Sequence, residues 1–285
     1  MTFAATAGFL PFRRRSAIPG LRLTLAVTAL YLLLIVVVPL AALLIRASSL
    51  GLMGIAGIAM QPRVAAALRV SFGVSLLAAF LSALVGAPIA WALARYRFPA
   101  RRLFDAAIDL PFALPTAVAA IALSTVYAPN GWFGAPLAAL GVKVAFTRLG
   151  ILVAMIFVGF PFVVRTLQPV IAELETELEE ASMTLGASRL ATLRRVIAPP
   201  LIPAVLTGMA LAFARGVGEY GSVIFIAGNL IGVTEIAPLL IVEKLEEFDY
   251  AGATAIAAIM LTISFVMLLA INRLQAYART RLGDV

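Results

Sequence analysis

Very few residues in this chain are equipped for covalent chemistry. Its 285 residues include neither cysteine nor histidine, which removes thiolate nucleophiles, imidazole bases, disulfides and the usual ligands of zinc, haem and iron–sulfur clusters. No metal or organic cofactor is expected. A phosphate-cradling P-loop needs Gly-Lys-Ser/Thr, yet the only lysines, Lys143 and Lys244, follow Val142 and Glu243, so the chain is not expected to hydrolyse ATP itself. What remains is one pair of opposite charges within an apolar run, Arg215 and Glu219. An arginine at the centre of a membrane helix costs about 2.5–3.5 kcal/mol, so Arg215 is expected to have a partner. Four residues apart on a helix, the two side chains can neutralise each other. Two readings stay open: a structural salt bridge within or between helices, or a position lining an anion path.

The elements that position this pair follow from composition. With 63% apolar and 13% charged residues and a mean hydropathy of +1.07, the chain holds more apolar surface than a water-soluble domain can hide. A membrane protein is the expectation. The formal charge of +8 does not redirect it to nucleic acid, because the basic residues fall in short clusters between apolar runs. A helix needs about 20 apolar residues to cross the hydrocarbon core. Such runs lie near 21–45, 68–94, 106–127, 149–170, 201–228 and 252–272, which predicts an all-α polytopic protein with six transmembrane helices. The first run follows Arg13-Arg14-Arg15 but exceeds the roughly 7–15 residues of a signal-peptide core, and it reads as an uncleaved anchor.

Arginine and lysine are unevenly shared between alternate loops. One side collects the clusters Arg13–Arg15 with Arg22, Arg95–Arg102, Arg165 with Arg189–Arg195, and Arg273–Arg281; the other has Arg46, Arg63, Arg69, Lys143, Arg148 and Lys244. The asymmetry predicts that the tails 1–20 and 273–285 both face the cytoplasm, with the transmembrane domain 21–272 between them. Outside, residues 129–134 form a turn-rich loop with Trp132 and Phe133, suited to the membrane interface. The loop 235–249 is acidic, with Glu235, Glu243, Glu246, Glu247 and Asp249 against Lys244. It is either a solvated loop or a docking surface for an external partner. Pro111 and Pro115 are expected to kink the third span.

The longest cytoplasmic loop, 173–198, has a pattern of its own. Glu173, Glu175, Glu177, Glu179 and Glu180 favour a helix with acidic first turns. Gly186 can then end that helix with positive φ, and Ser188 can cap the next. Met183, Ala187, Leu190, Leu193 and Ile197 recur at helical spacing as an apolar stripe, and Pro199-Pro200 are expected to stop the helix before the fifth span. Two short helices meeting at an elbow are predicted. Such an elbow either rests on the bilayer or docks into a groove on a soluble partner.

Glu180-Ala181-Ser182, Gly186, Val196 and Pro199 resemble the EAA loop that marks the permease subunits of bacterial ABC importers. Its pattern is Glu-Ala-Ala, three residues, Gly, nine residues, Ile, one residue, Leu-Pro; here Ser182, Val196 and Ala198 depart from it. The resemblance extends over nearly the whole chain to T-type permeases of the sulfate/thiosulfate importer, in the sulfate/molybdate branch. It is carried by Asp109–Thr116, Asn130–Trp132, Lys143–Thr147, Gly159–Thr166, Ala214–Ser222 and Glu247–Ala253. The resemblance implies the type I importer permease fold, import of sulfate and probably thiosulfate, and location in the bacterial inner membrane. It also implies three partners: a sister permease in a heterodimer, two copies of a cytoplasmic ATPase, and a periplasmic sulfate/thiosulfate-binding protein. Glu180, Ala181, Ser182, Gly186, Val196 and Pro199 would then couple the permease to the ATPase. Gly208, Gly216, Gly218, Gly221 and Gly228, in or near span five, are expected to pack closely against the partner permease or to loosen a gate.

Overall fold

A computed structural model describes the backbone of residues 21–282 and the side chains of residues 23–277. The predicted tail 1–20 lies outside the described residues. The chain divides into two units, Met1–Ser49 and Leu50–Val285. The first contains α1 (Leu23–Ser48), a long apolar helix most of whose side chains, Leu25 and Ile35 among them, are exposed.

The second unit is built from α2 (Gly51–Ala59), α3 (Pro62–Arg95), α4 (Arg101–Ile108), α5 (Leu110–Ala113), α6 (Thr116–Tyr127), α7 (Gly134–Ala139), α8 (Arg148–Glu173), α9 (Thr176–Thr184), α10 (Arg189–Val217), α11 (Ala237–Glu246) and α12 (Tyr250–Leu282). The described residues contain no strand, as expected of an all-α chain.

Among the described residues five helices, α1, α3, α8, α10 and α12, are long and apolar enough to cross a membrane. The third predicted run, 106–127, is broken into three. Pro111 and Pro115 withdraw amides, and Leu114, placed before a proline, is driven to extended backbone with ψ 134°, where a helix cannot continue. Its longest piece, α6, has 12 residues, about 18 Å of helix against a hydrocarbon core of about 30 Å. The run 201–228 is cut too: α10 ends at Val217, and residues 218–236 form turns. In contrast, α12 passes residue 272 and ends at Leu282, because no proline interrupts it and its sequence favours helix.

Prolines do not always stop helices here. In α1 the segment Leu33–Val37 is a π turn closed by Val38 N–H donating to Leu33 O, just before Pro39; in α10 Leu193–Ile197 is a π turn closed by Ala198 N–H donating to Leu193 O, just before Pro199. A proline ring clashes with the carbonyl four residues earlier, and widening that turn relieves the clash. Pro199-Pro200 therefore do not end the elbow's second helix, contrary to expectation. It runs straight into the membrane-length helix.

The core is the mutual packing of α3, α8 and α10, with α12 laid against α10 and α11. Leu93, Val163, Leu167, Phe213 and Ile256 are buried there, and a second cluster around Met155, Val223, Ile226 and Ile236 fills the end away from the elbow. Small residues make the close crossings. A Cβ on Gly208 would stand 2.9 Å from Val163 Cα, and one on Gly159 would stand 3.2 Å from Ala212 Cβ. Gly208 and Gly216, expected to face another subunit, are instead committed inside this chain, against Val163 and Ser75. Gly208→Val is expected to overpack this crossing and destabilise the fold by about 1–3 kcal/mol. Gly73→Ala, in open space on α3, is expected to be neutral or stabilising by up to about 1 kcal/mol. Thermal unfolding of the two purified variants in detergent checks both.

Candidate functional site

The elbow is present and its apex is built by backbone rules. α9 ends with Gly186 at φ +82°. Gly186 N–H donates to Met183 O and Ala187 N–H to Ser182 O, both at 3.0 Å. These two bonds are the Schellman pairing, and they satisfy carbonyls that the helix end would leave bare. Ser188 opens the next helix, its hydroxyl accepting from Ala191 N–H at 3.3 Å. Ser182, the departure from alanine, has a use: its hydroxyl meets that of Thr192 across the elbow at 2.9 Å and donates to Glu179 O at 2.8 Å. The two arms are thereby pinned to each other.

A hollow of about 710 Å³ lies between the arms, lined by Ala181, Ser182, Val196 and Pro199 together with Leu178 and Leu185. Glu180 and Gly186 lie outside this lining, Glu180 exposed on α9 and Gly186 exposed at the apex. Three members of the apolar stripe, Met183, Leu190 and Leu193, are left exposed by the described residues while its last member, Ile197, is buried; beside the stripe, Leu185 at the apex is 87% exposed.

Two anchors at this end carry no clear mark in the sequence. Arg95, in the last turn of α3, donates to Glu179 Oε1 at 2.8 Å and to Leu174 O at 2.9 Å, with its guanidinium 5.3 Å from the Trp91 ring. The only hint is a basic residue in a helix's final turn. Arg165 on α8 donates to Asp109 at 2.6 and 2.8 Å and to Asp105 at 2.7 Å, fastening α4 to α8. The Gln168 amide donates to Asp105 at 3.1 Å, and this bond together with Arg165 holds the Asp105 carboxyl below its usual range, against the opposing effect of partial burial.

Arg215 and Glu219 form an ion pair. They do not share a helical face, because α10 stops at Val217 and Glu219 lies in the turn beyond it. The Glu219 side chain is 2% exposed while that of Arg215 is 36% exposed. Glu219 Oε1 also accepts from Ser222 N–H at 2.8 Å, so one carboxylate fixes both the end of α10 and the turn that follows.

At the opposite end, the acidic stretch 235–249 is mostly helix rather than loop. Glu235, only 1% exposed, takes two bonds from Arg63 Nε at 3.0 and 3.1 Å, and Glu243 also pairs with Arg63. Lys244 pairs with Glu247 at 2.9 Å and Asp249 at 3.3 Å. The Glu247 and Asp249 bonds raise the Lys244 pKa. Asp249 is held below the usual carboxylate range, first by Gly252 N–H and then, against some burial, by Lys244. Most of the acidity expected to be free is consumed by these pairs.

Residues 82–283 match the family described as binding-protein-dependent transport system inner membrane component. The chain belongs to this family. Its members' description suits the buried crossings and long apolar helices of this permease. Relatives cover nearly its whole length. It is 52% identical over 90% of the chain to the probable sulfate transport system permease protein cysT of Nephroselmis olivacea, of which the match covers 91%. With the sulfate transport system permease protein CysT of Synechocystis sp. it shares 50% over 90% of each chain, and with that of Escherichia coli K12 45% over 92% of this chain and 95% of the other. In fold the permease is similar to a bacterial ABC transporter involved in the import of the acidic polysaccharide alginate, with a TM-score of 0.74 at 16% identity over 90% of this chain and 95% of that one. The same fold recurs at TM-score 0.73 in a bacterial alginate ABC transporter complexed with its pentasaccharide-bound periplasmic protein, at 16% identity over 93% of this chain and 95% of that one.

Proposed function

We propose that this chain is the permease subunit of an ATP-driven importer that carries sulfate, and thiosulfate by the same route, into the cytoplasm. The single observation that carries the substrate is its identity of 45–52% over about nine-tenths of its length to proteins named as sulfate permeases. The assembly comprises a sister permease, two copies of a cytoplasmic ATPase, and a periplasmic binding protein that delivers the anion. Both termini face the cytoplasm, on the side of the elbow.

Glu180, Ala181, Ser182, Gly186, Val196 and Pro199 form the ATPase-coupling element. The exposed part of the stripe, Met183, Leu190 and Leu193, together with Leu185 at the apex, supports this reading, since an apolar face on a soluble segment calls for a groove on a partner. Closure of the ATPase pair moves the elbow, and α10 carries the motion to the turn around Glu219, so that the pathway alternates between two states. Arg215 and Glu219 act here as a clamp on that turn. A tetrahedral dianion held strongly would need several converging donors, so selection falls to the binding protein and the permease offers a weak, transient path.

Uptake of radiolabelled sulfate by cells deleted for this gene tests the reading, comparing the intact chain with a chain lacking residues 179–197 at equal membrane levels. Restoration by the intact chain alone is expected. Equal uptake without the elbow would overturn ATPase coupling, and rescue of molybdate but not sulfate uptake would overturn the substrate.

A further inference from the structure

We propose that the groove between α3, α4 and α8 is a binding site for one anionic membrane phospholipid, with an acyl chain along Ile89, Phe157 and Phe160 and the headgroup phosphate at Arg97, Arg101 and Arg102. The groove has a volume of about 640 Å³, within the range of about 300–1,000 Å³ that holds small ligands. Of its fifteen lining side chains only Tyr127 carries a polar atom. Along α3 it extends from Val85 to Leu93, roughly 12 Å of helix.

One end of the groove is charged. Phe98, which lines it, also lines a second hollow of about 550 Å³ formed with Arg97, Ala100, Arg101, Arg102 and Asp105. All three arginines are exposed. The single carboxylate among them, Asp105, is already bonded to Arg165 and Gln168. Arg97 and Arg102 have no ion pair among the described residues, and Arg101 touches Asp105 only through the field between them. The second hollow therefore has a surplus of positive charge.

Arg95, two residues before Arg97, is tied to the elbow, so the basic hollow lies at the elbow end of α3, where the apolar run stops. Leu103 and Phe104 of α4 are exposed beside it, as on a helix lying in the membrane interface. An apolar slot that opens onto unpaired guanidinium groups at the headgroup level complements a molecule with an apolar tail and a phosphate, which bilayer lipids supply. A soluble anion would leave the slot unfilled, and an apolar segment of protein would leave the arginines unanswered.

The test uses the full chain, copurified with whatever partners accompany it and returned to vesicles. These contain either phosphatidylglycerol or phosphatidylcholine with the same photoreactive acyl chain. Labelling of residues 85–111 and 153–160 by the phosphatidylglycerol probe is expected to exceed that by phosphatidylcholine by about a hundredfold, since each of the three arginines near an anionic headgroup contributes a factor of several. Arg97→Gln/Arg101→Gln/Arg102→Gln, which removes the charge but keeps polar side chains, should bring the two probes to equality. Ala107→Phe, on the exposed face of α4 and pointing its bulk into the groove lining, should lower labelling by both. Equal labelling of the unaltered chain by the two probes would overturn the proposal. So would a phosphatidylglycerol preference that survives the triple substitution, or cross-links from this groove to another polypeptide in place of lipid.

Discussion

Gly186→Val is expected to leave insertion and membrane level near normal while reducing sulfate uptake by about 5–30-fold. Gly186 has φ +82°, and no atom lies within 4 Å of the place a Cβ would occupy, so the substitution meets no steric wall from neighbours. The cost is conformational. A residue with a Cβ in the left-handed region loses about 1–2 kcal/mol, and a β-branched one more. That energy falls entirely on the Schellman turn, and a loss of this size lowers the population of the intact apex by about 5–30-fold. Because the elbow lies outside the α3–α8–α10 core, the fold should tolerate its loss. Uptake and ATPase stimulation measured at matched membrane levels check the expectation. Normal uptake would show that the apex geometry has no part in coupling.

The second large effect concerns the clamp beyond α10. Arg215→Ala leaves Glu219, 2% exposed, charged and without its partner. Breaking one side of a buried pair costs about 3–5 kcal/mol, and the half-exposed position of Arg215 puts the expected loss near the lower end, about 3 kcal/mol. Glu219→Gln added to Arg215→Ala should recover much of this, because the neutral amide can still accept from Ser222 N–H without a buried charge. The thermal midpoints of the two variants in detergent separate the cases. If the double variant is no more stable than Arg215→Ala, the pair does not act as a clamp.

Long apolar periodic runs and the elbow were legible because each rests on local rules. Gly186 needed positive φ and Ser188 offered a cap, and the structure has both; the helical spacing from Met183 to Ile197 instead runs across the break after Thr184, and its last member is buried. What was not legible depended on distant partners. Ser182 looked like a mild departure from alanine until Thr192, ten residues on, was brought within hydrogen-bonding distance. Arg95 and Glu179, or Arg63 and Glu235, carry no mutual signal in sequence because only packing of α3 against other elements brings them together. Hydropathy also overran the helices. It cannot see that Pro111 and Pro115 split one run, nor that Gly216 and Gly218 sit where α10 gives way to turns, since apolar residues continue on both sides of each break.

Helix α10 runs unbroken from Arg189 beside the elbow's apex to Val217, 29 residues or roughly 43 Å. Its compliant stretch is the π turn Leu193–Ile197 and the three prolines that follow it, Pro199, Pro200 and Pro203, which withdraw amides from the ladder. A rod of this kind hinges sideways at its soft turn but cannot shorten. Lateral jostling of the elbow is dissipated near Pro199, while displacement along the helix axis arrives at Arg215 undiminished. For the coupling role proposed above, the element would work as a piston with a swivel near its base, with thrust along its axis, more than sideways tilt, as the input it relays.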